Sequence, residues 1–327
     1  MVFTVDTEPD HAWRNHLNPG VGNVRELLRF QRLLARYGAR ATLLVTSAVM
    51  RSDEARGILA RLTDECGAEI GAHLHPWETP PFMPSRLDTR YATYPHELPL
   101  DVFEEKLVNL TKTIARDFDT PRCYRAGRWG LAAEHLPVLE RLGYQVDTSV
   151  IPLRDWRRVP GAPRHSGGRG GVDYRFAPQA PYRPSYEDVT RPGGARILEI
   201  PVTVGFTRST PAAVGRRYGL LPELLQRALR KFELLRPVWA TPAEEPVERI
   251  RRMLAVVVES GARIINLALH SSELMVGGSP STENIEATDE VFRRLQSLLV
   301  FLTGRWGCHF GTLADAAREL SHSAAET

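Results

Sequence analysis

The sequence has few cysteines and no long apolar run. Its 327 residues include three cysteines, Cys66, Cys123 and Cys308, which are widely spaced and odd in number. This pattern argues against a disulfide framework and favours a reducing compartment. No apolar run is long enough to span a bilayer, and the N-terminus lacks the basic and apolar regions of a signal peptide. We therefore expect a cytoplasmic protein without a transmembrane segment.

The chain also lacks a strong charge of either sign. Its formal net charge is +3, and 25% of its residues are charged. A balance this close to neutral is not a nucleic-acid-binding signature, so no nucleic-acid partner is expected. No internal repeat and no shift in composition marks a boundary, and 43% of the residues are hydrophobic, as in ordinary globular proteins. These features predict a single domain over residues 1–327.

Patterns typical of strands and helices alternate along the chain. Strand-like apolar runs at 3–5, 39–46 and 68–70 are separated by amphipathic helical patterns at 24–37 and 52–66. The alternation continues with helices at 100–118, 132–142, 222–235, 248–259, 288–304 and 312–320, and strands at 123–125, 144–149, 196–204 and 263–269. About seven β/α alternations predict an α/β fold whose parallel strands form a barrel or a near-barrel.

One irregular stretch, at about 152–194, interrupts this alternation. It is rich in glycine, proline, arginine and aromatic residues. Loops of this length are usually functional or disordered. The tyrosines and prolines favour an ordered insertion that faces the substrate, with Tyr182 as a candidate contact. His165, which lies among glycines and basic residues, is expected to be exposed.

Ionisable residues follow several of the predicted strands. Asp6 and Glu8 follow the first strand, His73 and His75 a middle strand, and His270 a late strand. Side chains two apart on an extended segment point to the same side, and the carboxyl ends of barrel strands share the rim that builds the active site. Each residue alone could be structural. Their joint occurrence on one rim favours a functional site.

Glu8, His73 and His75 offer one oxygen and two nitrogen ligands. This set suits a divalent metal, with Zn²⁺ as the first choice and Co²⁺, Ni²⁺ or Mn²⁺ as alternatives. An isolated pair of histidines two apart is more often structural than metal-binding, so the prediction depends on the carboxylate. Trp77 follows in a proline-rich loop and is a candidate substrate contact.

The remaining rim residues suggest acid–base chemistry. A divalent ion at Glu8, His73 and His75 would lower the pKa of a bound water molecule and polarise a carbonyl oxygen. Asp6 could then take a proton from that water. Arg125 would orient Asp6 and keep it ionised. His270 could protonate a leaving amine. Together these roles describe the hydrolysis of an amide.

The ordered motifs resemble those of the NodB-type polysaccharide deacetylases, carbohydrate esterase family 4. The motifs are FTVDTE at 3–8, EIGAHLHP at 69–76, YRAGRWG at 124–130, YQVDTSV at 144–150 and LALHSSE at 267–273. The resemblance covers almost the whole chain and is greatest to a divergent branch associated with exopolysaccharides. It implies a distorted (β/α)7 barrel and metal-dependent de-N-acetylation of an amino sugar in a polysaccharide or glycan precursor.

The resemblance carries over to individual residues, with two departures. Asp6 matches the catalytic base of the first motif, but Thr7 stands where the family has a metal-binding aspartate, and Glu8 is the natural substitute. His73 and His75 match the histidines of the second motif, although one residue separates them here instead of three. The loop after the strand must absorb this shortening.

The later motifs match at single positions. Arg125 corresponds to the arginine that contacts the base, and Trp129 to the aromatic residue that lines the acetyl pocket. Asp147 stands where the fourth motif falls, without the usual tryptophan close behind it. His270 corresponds to the general acid of the fifth motif, and Leu269 to the apolar residue beside it.

Two alternative functions stay open. The same scaffold could host another C–N hydrolase, such as a deformylase or a ureide hydrolase, because a fold does not determine the substrate. The departures at Thr7 and in the histidine motif also allow a catalytically inactive glycan-binding module.

His11 and His16, which flank Trp13, could line the pocket.

The stretch Leu220–Trp239 is basic and amphipathic. It could contact a membrane surface peripherally or dock a partner. A helix packed on the barrel is the more frequent structure for such a pattern. The identity of the sugar and the oligomeric state do not follow from the sequence.

Overall fold

The structure is a computed structural model that describes residues 1–10, 20–82, 93–162, 168–210 and 212–325. Its strands are β1 Val2–Thr7, β2 Ala41–Val45, β3 Glu69–Leu74, β4 Cys123–Ala126, β5 Val146–Asp147, β6 Leu198–Glu199, β7 Val204–Phe206, β8 Pro237–Trp239 and β9 Asn266–His270. Its helices are α1 Glu26–Ala35, α2 Ser47–Met50, α3 Asp53–Cys66, α4 Leu100–Ile114, α5 Leu136–Arg141, α6 Ala212–Tyr218, α7 Glu223–Lys231, α8 Val247–Glu259, α9 Ile285–Trp306 and α10 Leu313–Ala325.

Seven parallel strands form one sheet in the order β6-β5-β4-β3-β2-β1-β9. The chain after β6 approaches the opposite edge of this sheet. The Thr203 N–H donates to the Asn266 carbonyl at 3.0 Å, and the Asn266 N–H donates to Thr203 Oγ1 at 2.8 Å. The sheet therefore curls into a distorted (β/α)7 barrel, and the predicted fold is confirmed. β7 and β8 pair as a separate antiparallel ribbon.

The interior of the barrel is polar below the rim. Side chains alternate along β1, so Phe3 and Val5 join the apolar layer under the helices, whereas Thr4 points inward. Thr4 Oγ1 donates to Asn266 Oδ1 at 2.9 Å, and Asn266 Nδ2 donates to Thr148 Oγ1 at 2.8 Å. These buried hydrogen bonds connect strands that are far apart in the sequence.

Local signals explain several element ends. The Ser52 hydroxyl accepts the Ala55 N–H at 3.2 Å and caps α3. Gly67 ends the same helix with φ 64°, a conformation that favours glycine. The predicted strand at 196–204 divides into β6 and β7 because Pro201, between them, has no N–H to donate.

The segment between β5 and β6 is irregular where it is described. Residues 148–162 and 168–197 contain isolated β-bridges, at Asp155–Asp173, Tyr182–Glu199 and Pro184–Pro192, and no helix. Among all the described residues, no helix combines the length and the apolar character needed to cross a membrane.

Candidate active site

Three buried side chains converge where β1 and β3 end. Glu8 Oε2 lies 3.1 Å from His75 Nε2 and 3.9 Å from His73 Nε2. The ligand atoms of the three residues all lie within 4.8 Å of one another, so a single ion could contact all three. Within the part of the chain that the structure describes, this is the only such group of three or more His, Cys, Asp or Glu residues.

The orientation of His73 fits metal binding. His73 pairs with Arg125 across β3 and β4, and its Nδ1 lies 3.0 Å from the Arg125 carbonyl oxygen. A carbonyl oxygen only accepts, so Nδ1 carries the proton and the lone pair of Nε2 faces Glu8. Burial lowers the pKa of His73 to about 4, which keeps the ring neutral and able to bind a metal at neutral pH.

Asp6 and Arg125 form a buried ion pair beside this group. Arg125 NH1 donates to Asp6 Oδ1 at 2.6 Å, and both side chains are buried. The guanidinium also donates to Thr4 Oγ1 at 2.8 Å and to the Thr148 carbonyl at 2.9 Å, which fixes its orientation. Burial raises the pKa of Asp6, but Arg125 and two nearby histidines outweigh burial and hold that pKa below its usual value. Asp6 is therefore ionised at neutral pH.

His270 faces the same space from β9. Its Nε2 lies 3.7 Å from Asp6 Oδ2 and 4.0 Å from Glu8 Oε1, and its Nδ1 lies 3.6 Å from Glu273 Oε2. Burial lowers the pKa of His270, but Glu8, Glu273 and Asp6 outweigh burial and raise it to about 10. The ring is therefore protonated at neutral pH, with Nε2 directed at the two rim carboxylates.

Aromatic rings border the group. The Trp129 ring lies 4.7 Å from Arg125 Cζ and meets the Trp239 ring edge-on at 5.7 Å. The Trp77 ring lies 4.4 Å from the ring of His75. Two of the predicted substrate contacts, Trp77 and Trp129, are thus beside predicted site residues.

The turn after β4 places Trp129 with a strained backbone. Arg128 and Trp129 have φ values of 53° and 63°, which residues other than glycine rarely adopt. The preceding residue, Gly127, is tightly enclosed. A Cβ there would lie 2.4 Å from the Leu74 carbonyl oxygen and 2.9 Å from His75 Nδ1. Only glycine leaves room for His75 in its present position.

A buried lysine holds the loop that follows His75. Lys106 Nζ, on α4, donates to the carbonyls of Pro76, Thr79 and Pro81 at 3.0, 2.7 and 2.6 Å. The shortened histidine motif therefore leads into a loop that is anchored from the helical layer. Sequence reasoning missed Lys106, because a lysine on an amphipathic helix is usually exposed.

Two carboxyl groups near the histidines were also missed. Burial, opposed by His75 and assisted by Glu8, raises the pKa of Glu78 to about 7. Glu273 Oε2 accepts the backbone N–H of His270 at 2.8 Å and so helps to orient this residue. A signal for Glu273 is present in the sequence, since it lies three residues after His270 at the spacing of a capping box. Glu78 has no comparable signal.

Three predicted substrate contacts lie away from the group. Asp147 forms a buried carboxyl pair with Glu199, and burial raises the pKa of both. Leu269 precedes His270 on β9, so its side chain points to the opposite face of the strand. The Tyr182 hydroxyl donates to a backbone carbonyl within the insertion. Their roles in substrate binding stay predictions, and His11, His16 and His165 lie outside the described residues.

Solved structures that share this fold include those of the following two proteins. A protein from Parabacteroides distasonis, classed as a glycoside hydrolase/deacetylase, aligns with a TM-score of 0.62 and 15% identity over 97% of this chain and 70% of its own. A protein from Mycobacterium smegmatis, classed as a polysaccharide deacetylase, aligns with a TM-score of 0.52 and 14% identity over 99% of this chain and 90% of its own. No protein-family model and no curated protein sequence matches the chain. The resemblance to NodB-type deacetylases is therefore confirmed at the level of the fold.

Proposed function

We propose that the protein is a divalent-metal-dependent hydrolase that removes the acetyl group from an N-acetylated amino sugar of a polysaccharide or glycan precursor. The observation that carries this proposal is the arrangement of Glu8, His73 and His75 between an ionised Asp6 and a protonated His270. The fold shared with a polysaccharide deacetylase supports a carbohydrate substrate.

Glu8, His73 and His75 would hold the ion. One carboxylate and two neutral imidazoles are a donor set typical of catalytic Zn²⁺, and Co²⁺, Ni²⁺ and Mn²⁺ accept the same ligands. When bound, the ion would lower the pKa of a water molecule and polarise the carbonyl of the amide. The hydrogen bond from His73 Nδ1 to the Arg125 carbonyl keeps the ring oriented for this role.

Asp6 would accept the proton of the attacking water. Its Oδ1 is occupied by Arg125 at 2.6 Å, whereas Oδ2 lies on the side of His270, at 3.7 Å from Nε2. Oδ2 is therefore the oxygen that can take the proton. Arg125 keeps the carboxylate ionised and prevents its rotation, because the guanidinium is itself held by Thr4 and Thr148.

His270 would donate a proton to the departing amine. Its Nε2 faces Asp6 and Glu8, whereas its Nδ1 faces Glu273 at 3.6 Å. The proton on Nε2 is thus the one exposed to the reacting group, and Glu273 stabilises the charged ring. Trp129, beside Arg125, would exclude water from the acetyl methyl group.

The test is product release from N-acetylglucosamine oligomers by the protein reconstituted with Zn²⁺. We expect acetate and a free amine, with the rate of release of both reduced about 10²–10⁴-fold in an Asp6→Asn variant. Release of formate from formylated substrates, or of ammonia from ureides, in place of acetate would indicate another C–N hydrolase. Glycan binding that persists without metal and without turnover would contradict the proposal and indicate an inactive module.

A further inference from the structure

The chain between β7 and β8 carries an exposed amphipathic surface. This helical excursion, residues 212–236, contains α6 and α7. None of the α7 residues is buried. Large apolar side chains in and next to this helix are exposed, Leu224 to 79% and Phe232 to 66%. A helix packed on the barrel, the more frequent structure for this pattern, is therefore not what the chain forms here.

The apolar residues of α7 lie on one side of the helix. With about 100° between successive residues, they fall within an arc of about 140°. This apolar arc consists of Leu224, Leu225, Ala228 and Leu229, together with the C-cap residue Phe232. Leu220 and Leu234, just beyond the two ends of the helix, are also exposed.

On the polar side of α7, Arg230 contacts α6, whereas Glu223 and Arg227 are exposed. Arg230 NH1 donates to the Tyr218 hydroxyl at 3.3 Å, and the Tyr218 ring packs edge-on against Phe206 of β7 at 5.7 Å. An ordinary surface helix turns its apolar arc to the core. Here Leu224, Leu225 and Phe232 are exposed instead, so this part of the apolar arc is open to a partner.

Cations lie beside the apolar arc. The helical excursion contains six Lys or Arg and two Glu residues, whereas the whole chain has a net charge of only +3. Lys231 and Arg217 are exposed and form no ion pair with any described residue. Lys231 follows Leu224 by seven residues, so both lie on the same side of the helix. The surface therefore combines protruding apolar side chains with positive charge.

We propose that the helical excursion binds the surface of an anionic lipid bilayer. A single convex helix with a charged side rich in Arg and Lys, and an opposite side of Leu and Phe, is typical of interfacial helices. The apolar arc would enter the acyl-chain boundary, and the flanking cations would contact lipid phosphates. The proposal does not depend on the proposed hydrolase activity.

Such binding would also place the candidate active site near the membrane. The helical excursion leads directly into β8, whose Trp239 contacts Trp129 at 5.7 Å. Trp129 in turn lies over Arg125 at 4.7 Å. The bilayer-binding surface and the active-site border are therefore joined by a short, packed segment.

The test is co-flotation of the full chain with two kinds of vesicle, phosphatidylcholine alone and an equal mixture of phosphatidylcholine and phosphatidylglycerol. We expect binding to the mixed vesicles and little to the neutral ones. The double variant Leu224→Ser/Phe232→Ser should reduce the partition coefficient about tenfold or more. Lys231→Gln should reduce it about fivefold, and added salt should weaken binding in the same direction.

A matched control replaces an exposed apolar residue on another helix. Ile285, in the first turn of α9, is exposed to 63%, and Ile285→Ser should leave binding unchanged. Circular dichroism and melting temperature should not differ among these variants, because all the replaced side chains are exposed. Equal partition of the wild type and the double variant, or no binding to mixed vesicles, would overturn the proposal. A dimer that the double variant dissociates, without vesicle binding, would assign the surface to a second copy and also overturn it.

Discussion

At the residue scale, the candidate site depends on buried groups with opposite protonation states. Arg125 keeps Asp6 ionised despite its burial, and three carboxylates keep His270 protonated. The base and the acid thus have opposite protonation states because their surroundings differ, although their facing atoms lie only 3.7 Å apart. The assignment of the two roles follows from these surroundings.

The role of Asp6 can be tested with a nearly isosteric change. Asp6→Asn keeps an oxygen for the Arg125 hydrogen bond but removes the proton acceptor. We expect kcat to fall by about 10²–10⁴ while bound metal stays at the wild-type level. Steady-state kinetics together with metal analysis measures both quantities. A decrease of less than about tenfold would show that another group accepts the proton.

Away from the site, His135 should contribute a pH-dependent stability. Its ring stacks on Phe103 with 3.7 Å between centroids, and burial lowers its pKa from 6.5 to about 3. The unfolded chain binds the proton more readily, so stability is present above pH 6.5 and decreases as the pH falls towards 3. Between pH 7 and pH 5 the wild type should lose about 2 kcal/mol more of its free energy of unfolding than His135→Gln does.

Denaturant unfolding at the two pH values measures this difference. His322, exposed on α10, provides the matched control, and His322→Gln should retain the wild-type pH dependence. If His135→Gln and the wild type show the same pH dependence, His135 is not held in its neutral form by burial.

Sequence reasoning found the residues that the rim of a parallel barrel brings together. Asp6, His73 and His270 each lie near the carboxyl end of a strand, and these ends meet at one rim because the strands are parallel. The supporting polar residues could not be found in this way. Thr4 and Asn266 form a hydrogen bond although 262 positions separate them in the sequence, and neither residue type indicates a buried partner.

At the element scale, the loop after His75 is stabilised by Lys106, which lies on α4. Lys106→Met would leave three carbonyls without their donor, so we expect the free energy of unfolding to fall by about 2–4 kcal/mol. Metal affinity should fall with it, because His75 precedes this loop. Lys112 on the same helix is exposed, and Lys112→Met should change neither quantity.

Denaturant unfolding and metal titration of the two lysine variants measure these effects. Equal stability of Lys106→Met and Lys112→Met would show that the loop does not need the buried ammonium. A stability loss without a change in metal affinity would show that the anchored loop does not determine the position of His75.

Periodicity predicted most helices within a few residues of their ends, for example α3 and α8. It could not predict which way α7 faces, because an apolar arc specifies a side of the helix and not what covers that side. The short β5 and β6 were also overestimated as strands. Their apolar character reflects burial on both faces, and few of these residues pair with a neighbouring strand.

At the scale of the whole molecule, one end of the barrel carries the candidate chemistry. β1, β3 and β9 deliver the acid, the base and the three candidate ligands to a common rim, and β4 delivers Arg125. The alternation of elements and the order of the motifs were sufficient to predict this fold. The sugar was not predictable, because related barrels differ in loops whose substrate contacts leave no periodic pattern.

The most direct test of the central claim is metal content and Zn²⁺ affinity of the purified protein, with His73→Ala and the exposed His322→Ala as a matched pair. We predict one ion per chain, an affinity reduced about 100-fold or more in His73→Ala but not in His322→Ala, and acetate release that chelation abolishes and Zn²⁺ restores. A folded, metal-free protein that still releases acetate, or a His73→Ala variant with wild-type affinity, would contradict it.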